Sequence, residues 1–302
     1  MRARPLPDPM SPEERIEKSH ELLVAAWRGD VKNVARLKDF YDPAVMEDDG
    51  STPLLLATKG RQSGHLECAK LLATDAACRV VNFKGQTALM LAVQYSDLDM
   101  VKALLPTSDA NAVDNDGRNA LMLCFSGAHV PETAIYLAPY TDLKHQDSGG
   151  GAALHWALLR GDLDAVEAFI DRSDLSARIK DGSTPLVMAG RCLKGEGTEC
   201  ARLVLSRVGP EAVNETDHEG RNALHWAAST GNLDTLKLLL PISDASSMDC
   251  EGNTAEGVAR LFGQHEAADL IASHTRSRNE KAELLESTPM GKSKPKSNSP
   301  LR

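Results

Sequence analysis

The feature that most limits how this chain can fold is a short phrase that recurs seven times along its 302 residues. Each copy contains an aligned glycine, and these glycines are spaced by 35, 32, 33, 32, 38 and 32 residues. A repeat period of roughly 20–50 residues indicates stacked units, because each unit buries its apolar faces only against its neighbours. The copies are DGSTPLLLA from Asp49, KGQTALMLA from Lys84, DGRNALMLC from Asp116, GGGAALHWA from Gly149, DGSTPLVMA from Asp181, EGRNALHWA from Glu219 and EGNTAEGVA from Glu251.

Each copy leads into a second apolar pattern, so that one unit predicts two helices. In both patterns the apolar residues recur at intervals of three and four, which marks one face of a helix. Asn222, or Thr in other units, stands before the first helix and can cap its free N–H groups. Pro53 and Pro185 occupy the first helical position, where a missing N–H costs nothing. Gly161 and Gly231 fall between the two helices, where we expect a left-handed C-cap.

The two ends of the array depart from the phrase in ways that predict capping units. Residues 21–39 contain two helical patterns and a Gly-Asp turn but lack the phrase. Upstream, Ser11, Pro12 and Glu14 predict a helix that starts near Pro12 with a capping box. In the last copy Glu256 replaces the leucine found in the other six. More polarity is what a terminal repeat with one solvated face needs.

A unit of about 33 residues that combines turn, helix and helix with a T-P-L-H-x-A-A phrase resembles the ankyrin repeat. The fourth and sixth copies resemble it most closely. The resemblance implies an all-α solenoid of stacked helix–turn–helix units with short hairpin connectors, with about six full repeats between two capping repeats. It also implies binding of other proteins through hairpin tips and the concave face of the first helices. The family places Asp at the hairpin tip, and the matching residues are Asp114, Asp147, Asp217 and Asp249.

Composition divides the chain into three parts. Residues 1–18 form an N-terminal tail that is partly helical, residues 19–275 form the repeat array, and residues 276–302 form a basic tail rich in Ser, Lys and Pro. The composition of the last segment predicts disorder. It holds seven Lys or Arg against three Glu, whereas the whole chain has a net charge of −9, so the array is acidic. The basic tail is either a solvated end or a contact for acidic surfaces, RNA or a nuclear import receptor.

Composition also restricts where the protein works and what it binds. The longest apolar runs have about six residues, too few to span a bilayer, and no apolar segment follows the two N-terminal arginines as in a signal peptide. The acidic balance argues against duplex nucleic acid as a partner. Six scattered cysteines without a CxxC pair read as reduced thiols. We therefore expect a soluble, cytoplasmic monomer, and leave a nuclear or host-cell location open.

The sequence offers little that would support catalysis, and we predict that the protein is not an enzyme and holds no cofactor or metal. His155 and His225 occupy one slot in two repeats, where a histidine can bond the helix start and bridge to the next repeat. Trp156 and Trp226 follow them in a slot that is otherwise Leu, Met or Val, which indicates packing rather than a platform for bases. Cys200 has a twin in Cys68, which favours a small apolar packing position. The triple glycine 149–151 replaces a hairpin tip and lacks the context of a phosphate loop.

The positions free to vary without harming the stack are the hairpin tips and the last exposed residues of the first helices. Aromatic and Arg side chains tend to anchor interfaces. We predict a protein–protein interaction module that acts as a scaffold, adaptor or targeting protein. The first alternative is a regulatory or inhibitory subunit of an enzyme, and the second is an enzyme with an unrecognised site. The candidate partner-binding residues are Phe83, Lys84, Tyr95, Arg118, Arg160, Lys180, His218 and Arg221.

Overall fold

The computed structural model describes residues 10–126, 131–192 and 196–287, with side chains up to residue 281. Within these ranges the chain forms α-helices and short 3-10 turns and no β-strand, which confirms the predicted all-α fold. In chain order the helices are α1 (Pro12–Arg28), α2 (Val31–Leu37), α3 (Pro53–Lys59), α4 (Ser63–Leu72), α5 (Asp75–Cys78), α6 (Ala88–Gln94), α7 (Leu98–Leu104), α8 (Ala120–Leu123), α9 (Pro131–Leu137), α10 (Ala153–Arg160), α11 (Leu163–Phe169), α12 (Pro185–Gly190), α13 (Gly197–Leu205), α14 (Ala223–Thr230), α15 (Leu233–Leu239), α16 (Ala255–Leu261) and α17 (His265–Ser287). Five second helices are followed by 3-10 turns, at Lys38–Phe40, Leu105–Thr107, Ala138–Tyr140, Ile170–Arg172 and Pro210–Asn214.

Apart from the short α5, the helices form eight pairs that stack in chain order. Each first helix packs against the first helix of the next pair, and the second helices pack against one another in the same order. One apolar core therefore runs through the whole array. Leu224 and Leu239 of the sixth repeat are both fully buried in it. The predicted solenoid of six full repeats between two capping pairs is confirmed.

The helix boundaries follow from the local chemistry that the sequence predicts. The Asn222 side chain accepts a hydrogen bond from the His225 amide at 3.1 Å, and Thr87 does the same for Met90 at 3.3 Å. Gly161 and Gly231 end their helices in the left-handed conformation, with φ of 67° and 69°. In the second repeat Ser96 takes this position with φ of 57°, a conformation that a non-glycine residue adopts only at some cost.

The hairpin tips are joined to one another by backbone hydrogen bonds. At each junction the carbonyl of the residue before the aligned glycine accepts from an amide at the next tip. Such a close approach leaves no room for a side chain at the glycine, and all seven aligned glycines have positive φ. The six bonds run from Phe83 to Asp49 (3.0 Å), Asn115 to Lys84 (3.1 Å), Ser148 to Asp116 (2.8 Å), Lys180 to Gly149 (2.7 Å), His218 to Asp181 (2.7 Å) and Cys250 to Glu219 (2.8 Å). We call this series the tip ladder.

Both ends of the array carry polar contacts that the sequence indicates. At the start, the Glu14 amide donates to the Ser11 hydroxyl at 3.2 Å, and the Ser11 amide donates to the Glu14 carboxylate at 3.1 Å. The predicted capping box is therefore present. At the other end, Glu256 and Arg260 form an ion pair at 2.8 Å. They stand where the preceding repeat has the buried Leu224 and Ala228, so the exposed side of α16 is charged.

The C-terminal segment departs from the prediction that residues 276–302 are disordered. The last helix, α17, continues to Ser287, although the repeat pattern ends near 275. Residues 276–281 are exposed, so helix propensity rather than packing carries this extension. Its residues from Arg276 to Lys281 are good helix formers for the most part and contain neither Gly nor Pro, which composition-based reasoning about disorder overlooked. Residues 288–302, like 1–9, lie outside the described residues.

Candidate functional site

The hairpin tips and the adjoining first helices line one face of the array, which we call the inner face. It contains two neighbouring cavities, of about 570 Å³ and about 290 Å³, which share Arg118, Trp156 and Leu159. Together they form a groove that crosses the third, fourth and fifth repeats. Among the remaining side chains, Lys180, Met188 and Arg191 line the larger cavity, and Met122, Phe125 and Arg160 line the smaller one.

Trp156 and Trp226 are fixed at the inner face by the aspartates of their own hairpins. The Trp156 indole N–H donates to Oδ2 of Asp147 at 3.1 Å, and that of Trp226 donates to Oδ2 of Asp217 at 2.7 Å. Oδ1 of Asp147 accepts from two amides of its hairpin, at 2.8 and 2.9 Å. Both tryptophans are half-buried, whereas Leu91 in the same slot is 3% exposed. They are therefore the floor of the inner face rather than core residues.

The two tryptophans differ in what covers them. The Arg191 guanidinium lies 4.3 Å from the centroid of the Trp226 ring, and that of Arg221 lies 5.5 Å from it. Arg221 follows the aligned glycine of its hairpin directly, and the equivalent residue in the fourth repeat is Gly151. Because Gly151 has no side chain, Trp156 faces the larger cavity.

Charges of both signs surround the groove, but most of the carboxylates are already engaged. Arg118 pairs with Asp114 at 2.9 Å and with Asp116 at 2.7 Å, and Arg191 pairs with Asp181 at 2.6 Å. Asp147 is buried and satisfied by its own hairpin and Trp156. Lys180 is exposed, and in the part of the chain that the structure describes no carboxylate pairs with it. Lys180 is therefore the cation of the larger cavity that these pairings leave to a partner.

The structure distributes the eight predicted binding residues over the inner face and the tips. Arg118, Arg160 and Lys180 line the groove. Arg221 covers Trp226, and Tyr95 is half-buried against the core at the end of α6. The remaining three are exposed tip residues outside the groove: Phe83, Lys84 and His218.

Sequence reasoning missed two surfaces of the inner face. The first is formed by Trp156 and Arg191 with Gly149 and Gly151. Only a comparison of equivalent hairpin positions between repeats could have found it. The second is at the N-terminal end, where Trp27 is 63% exposed and lines a cavity of about 340 Å³ together with Glu47, Asp48 and Lys59. The sequence feature that could have indicated this surface is Trp27, a large aromatic residue two positions before the Gly-Asp turn of the first capping pair.

His155 plays the structural role that the shared slot predicts, and His225 contacts the N-cap side chain of its own helix. Nδ1 of His155 accepts from the Ala152 amide at 3.2 Å, which leaves the proton on Nε2, within 3.1 Å of the Ala177 carbonyl of the next connector. Nδ1 of His225 lies 2.7 Å from Oδ1 of Asn222. Burial lowers the pKa of both imidazoles below the ordinary value of 6.5. Both rings are therefore neutral in the folded protein at neutral pH.

This burial makes the stability of the protein depend on pH. The unfolded chain takes up protons on these two histidines below about pH 6.5, before the folded chain does, so we expect the midpoint of thermal unfolding to fall between pH 7.5 and 5.5. The matched control is His155→Met with His225→Met, because Met90 and Met122 occupy the same slot in other repeats. Circular dichroism melts should show a smaller shift for this variant. An equal shift in both proteins would contradict the assignment.

Other chemistry has little support in the described residues. Cys200 is fully buried, and burial raises the pKa of its thiol to about 12, so the thiolate needed for nucleophilic attack is not populated at neutral pH. Across 10–126, 131–192 and 196–287, no three His, Cys, Asp or Glu side chains gather as a metal-binding group. No helix in these same ranges combines the length and the apolar character that crossing a bilayer would require.

Comparisons with known proteins agree with this architecture. A family model of ankyrin repeats in three copies matches residues 22–114 and 186–282. The neurogenic locus notch homolog protein 2 of Homo sapiens is 30% identical over 237 residues, and the notch homolog protein 1 of Mus musculus is 32% identical over 235. Each alignment covers 72% of this chain, which spans only 8% of the length of these curated relatives. The repeat phrase, the stacked helix pairs and the family match together show that the chain belongs to the ankyrin repeat family.

Proposed function

We propose that this protein is a scaffold, adaptor or targeting protein that binds a partner protein through its hairpin tips and inner face. Ankyrin repeats are protein–protein interaction modules, and the observation that carries the proposal is the groove over Trp156. An aromatic floor flanked by arginines has the composition of an interface centre. The tip ladder holds this surface in place before a partner arrives, so little ordering has to accompany binding.

The same proposal includes the location and the oligomeric state. None of the six cysteines, which all lie within the described residues, forms a disulfide, and five of them are buried, which suits a reducing compartment such as the cytoplasm. The Glu256–Arg260 pair on the outer side of α16 favours a monomer, because an end-to-end contact there would have to bury both charges. Size-exclusion chromatography with light scattering measures this directly, and a dimer at micromolar concentration would contradict it.

The test of binding is affinity capture of the tagged full-length chain from extract of its native cell, with quantitative mass spectrometry. The inner-face variant is Phe83→Ala with Lys180→Glu, two exposed side chains. The matched control is Ile135→Ala with Lys237→Glu, on the exposed sides of the second helices α9 and α15. We expect the inner-face variant to lose the partner at least about tenfold while the control retains it. Equal recovery with both variants would mean that the partner binds elsewhere.

A regulatory or inhibitory subunit is the second candidate function. It is favoured by the acidic cavity beside Trp27, where Glu47 and Asp48 stand next to an exposed aromatic ring. Such a surface complements a basic site on another protein. A captured enzyme at fixed stoichiometry whose turnover changes on adding the purified chain would favour this function over a passive scaffold.

A further inference from the structure

The fourth hairpin is unlike the other six at the two positions beside its aligned glycine. Every other hairpin carries a side chain both before and after that glycine, whereas the fourth has Gly149 and Gly151. In the sixth repeat the second position is Arg221, which lies over Trp226. Two absent side chains thus open the cavity of about 570 Å³ in which Trp156 is the floor. We call this cavity the Trp156 pocket.

The lining of the Trp156 pocket divides into an apolar floor and a rim of charged side chains. Leu159 and Met188 line the pocket together with the indole ring, and they provide contacts for an apolar side chain. Arg118, Lys180 and Arg191 stand around this floor. The lining contains three carboxylates. Asp147 accepts hydrogen bonds from its own hairpin and from Trp156, while Asp116 pairs with Arg118 and Asp181 pairs with Arg191. Lys180 then remains as a cation that an incoming carboxylate can pair with.

We propose that the Trp156 pocket binds an acidic peptide segment of the partner protein, with an aromatic or aliphatic side chain on the indole ring and a flanking carboxylate at Lys180. This inference rests on the proposed function and specifies the partner's chemistry. A peptide fits better than a compact small molecule because the pocket continues into the second cavity of about 290 Å³ along Leu159 and Arg160. The unpaired Lys180 favours a carboxylate over a cation beside the apolar side chain of the peptide.

The direct test is isothermal titration calorimetry of the full-length protein with a short capped peptide in which one phenylalanine is flanked by glutamates. Two comparison peptides replace the glutamates with lysines or the phenylalanine with serine. We expect the glutamate–phenylalanine peptide to bind at least about tenfold more tightly than either. Equal binding of the lysine peptide overturns the charge assignment. Equally tight binding of free glutamate would mean a small-anion site, which also overturns the proposal.

The decisive variant is Gly151→Gln, which fills the pocket without adding charge. Gly151 is not in the left-handed region, and Gln86 already occupies the equivalent position in the second repeat. A Cβ at residue 151 would lie 2.9 Å from the Trp156 indole nitrogen. The sixth repeat accommodates a side chain at the equivalent position, because Arg221 stands there while the Trp226 indole still donates to Asp217. The matched control is Asn253→Gln, the same residue at the equivalent position of the last hairpin. We expect peptide affinity to fall at least about tenfold in Gly151→Gln only.

A second pair of variants tests the rim. Lys180→Gln should weaken the glutamate peptide severalfold and make its binding less dependent on salt, whereas Lys237→Gln on the opposite helix layer should do neither. Unchanged melting curves for all four variants show that the fold is retained. If Gly151→Gln binds the glutamate peptide normally, the pocket inference is wrong. Loss of the captured partner in the Phe83→Ala, Lys180→Glu variant would then still support the proposed function.

Discussion

Replacing Phe169 with alanine should lower the free energy of unfolding by about 3–5 kcal/mol, the largest loss we expect from a single side chain in this protein. Phe169 is fully buried on α11, and its ring meets that of Phe125 edge to face, with centroids 6.1 Å apart. Removal leaves a cavity and deletes this aromatic contact, and neighbouring repeats are too well packed to fill the space. Urea denaturation followed by circular dichroism measures the change.

Phe83→Ala is the matched control, because it deletes the same atoms from a ring that is 68% exposed at a hairpin tip. We expect it to change the free energy of unfolding by less than about 1 kcal/mol. Its ring does contact the tip at Gly50, so a small loss is consistent with the structure. A loss as large as that of Phe169→Ala would show that the tip residues, and not only the helices, form the core.

The second large effect is expected from Gly85→Ala at an internal tip of the ladder. Gly85 has φ of 74°, where a side chain is strained by about 1–2 kcal/mol. A Cβ at this position would also lie 2.8 Å from the Asn115 amide nitrogen, the donor of the next ladder bond. One of the two tips must shift, so we expect a total loss of roughly 2–4 kcal/mol in urea denaturation.

Gly252→Ala separates the two causes, because Gly252 has a similar φ of 82° but nothing within 4 Å of its would-be Cβ. We expect Gly252→Ala to lower the free energy of unfolding only by the cost of the left-handed conformation, about 1–2 kcal/mol. The difference between the two variants then measures the close approach of neighbouring tips. Equal losses would mean that the tips do not restrain one another, and the ladder would have no energetic role.

The features that could be predicted from the sequence are those that neighbouring residues determine. The caps at Asn222 and Ser11, the turn glycines Gly161 and Gly231 and the apolar faces of the helices all depend on residues within a few positions. The fold follows from the repeat, because each of the seven copies buries its apolar faces by stacking against its neighbours. Ser96 shows the limit of this reasoning, since it takes the left-handed turn position without being glycine.

The groove could not be predicted in the same way, because it depends on what is absent at two positions of one hairpin. Trp156 and Trp226 have the same local sequence and the same bond to aspartate, yet one faces a cavity and the other is covered by arginines. The difference comes from Gly151 and Arg221, which lie several residues away, and from Arg191 of the preceding repeat. Tyr95 was likewise predicted from its position alone, and its packing against the core depends on neighbouring repeats.

The tip ladder has a further consequence for how the molecule comes apart. Each ladder bond joins only adjacent repeats, so the array behaves as a linear zipper in which a middle unit cannot open without losing two junctions, while a terminal unit loses one. Fraying therefore begins at the two ends and stops where packing is best. The Trp156 pocket lies in the fourth of six repeats, as far from either frayed end as the chain allows. The pocket therefore lies among the repeats that unfold last.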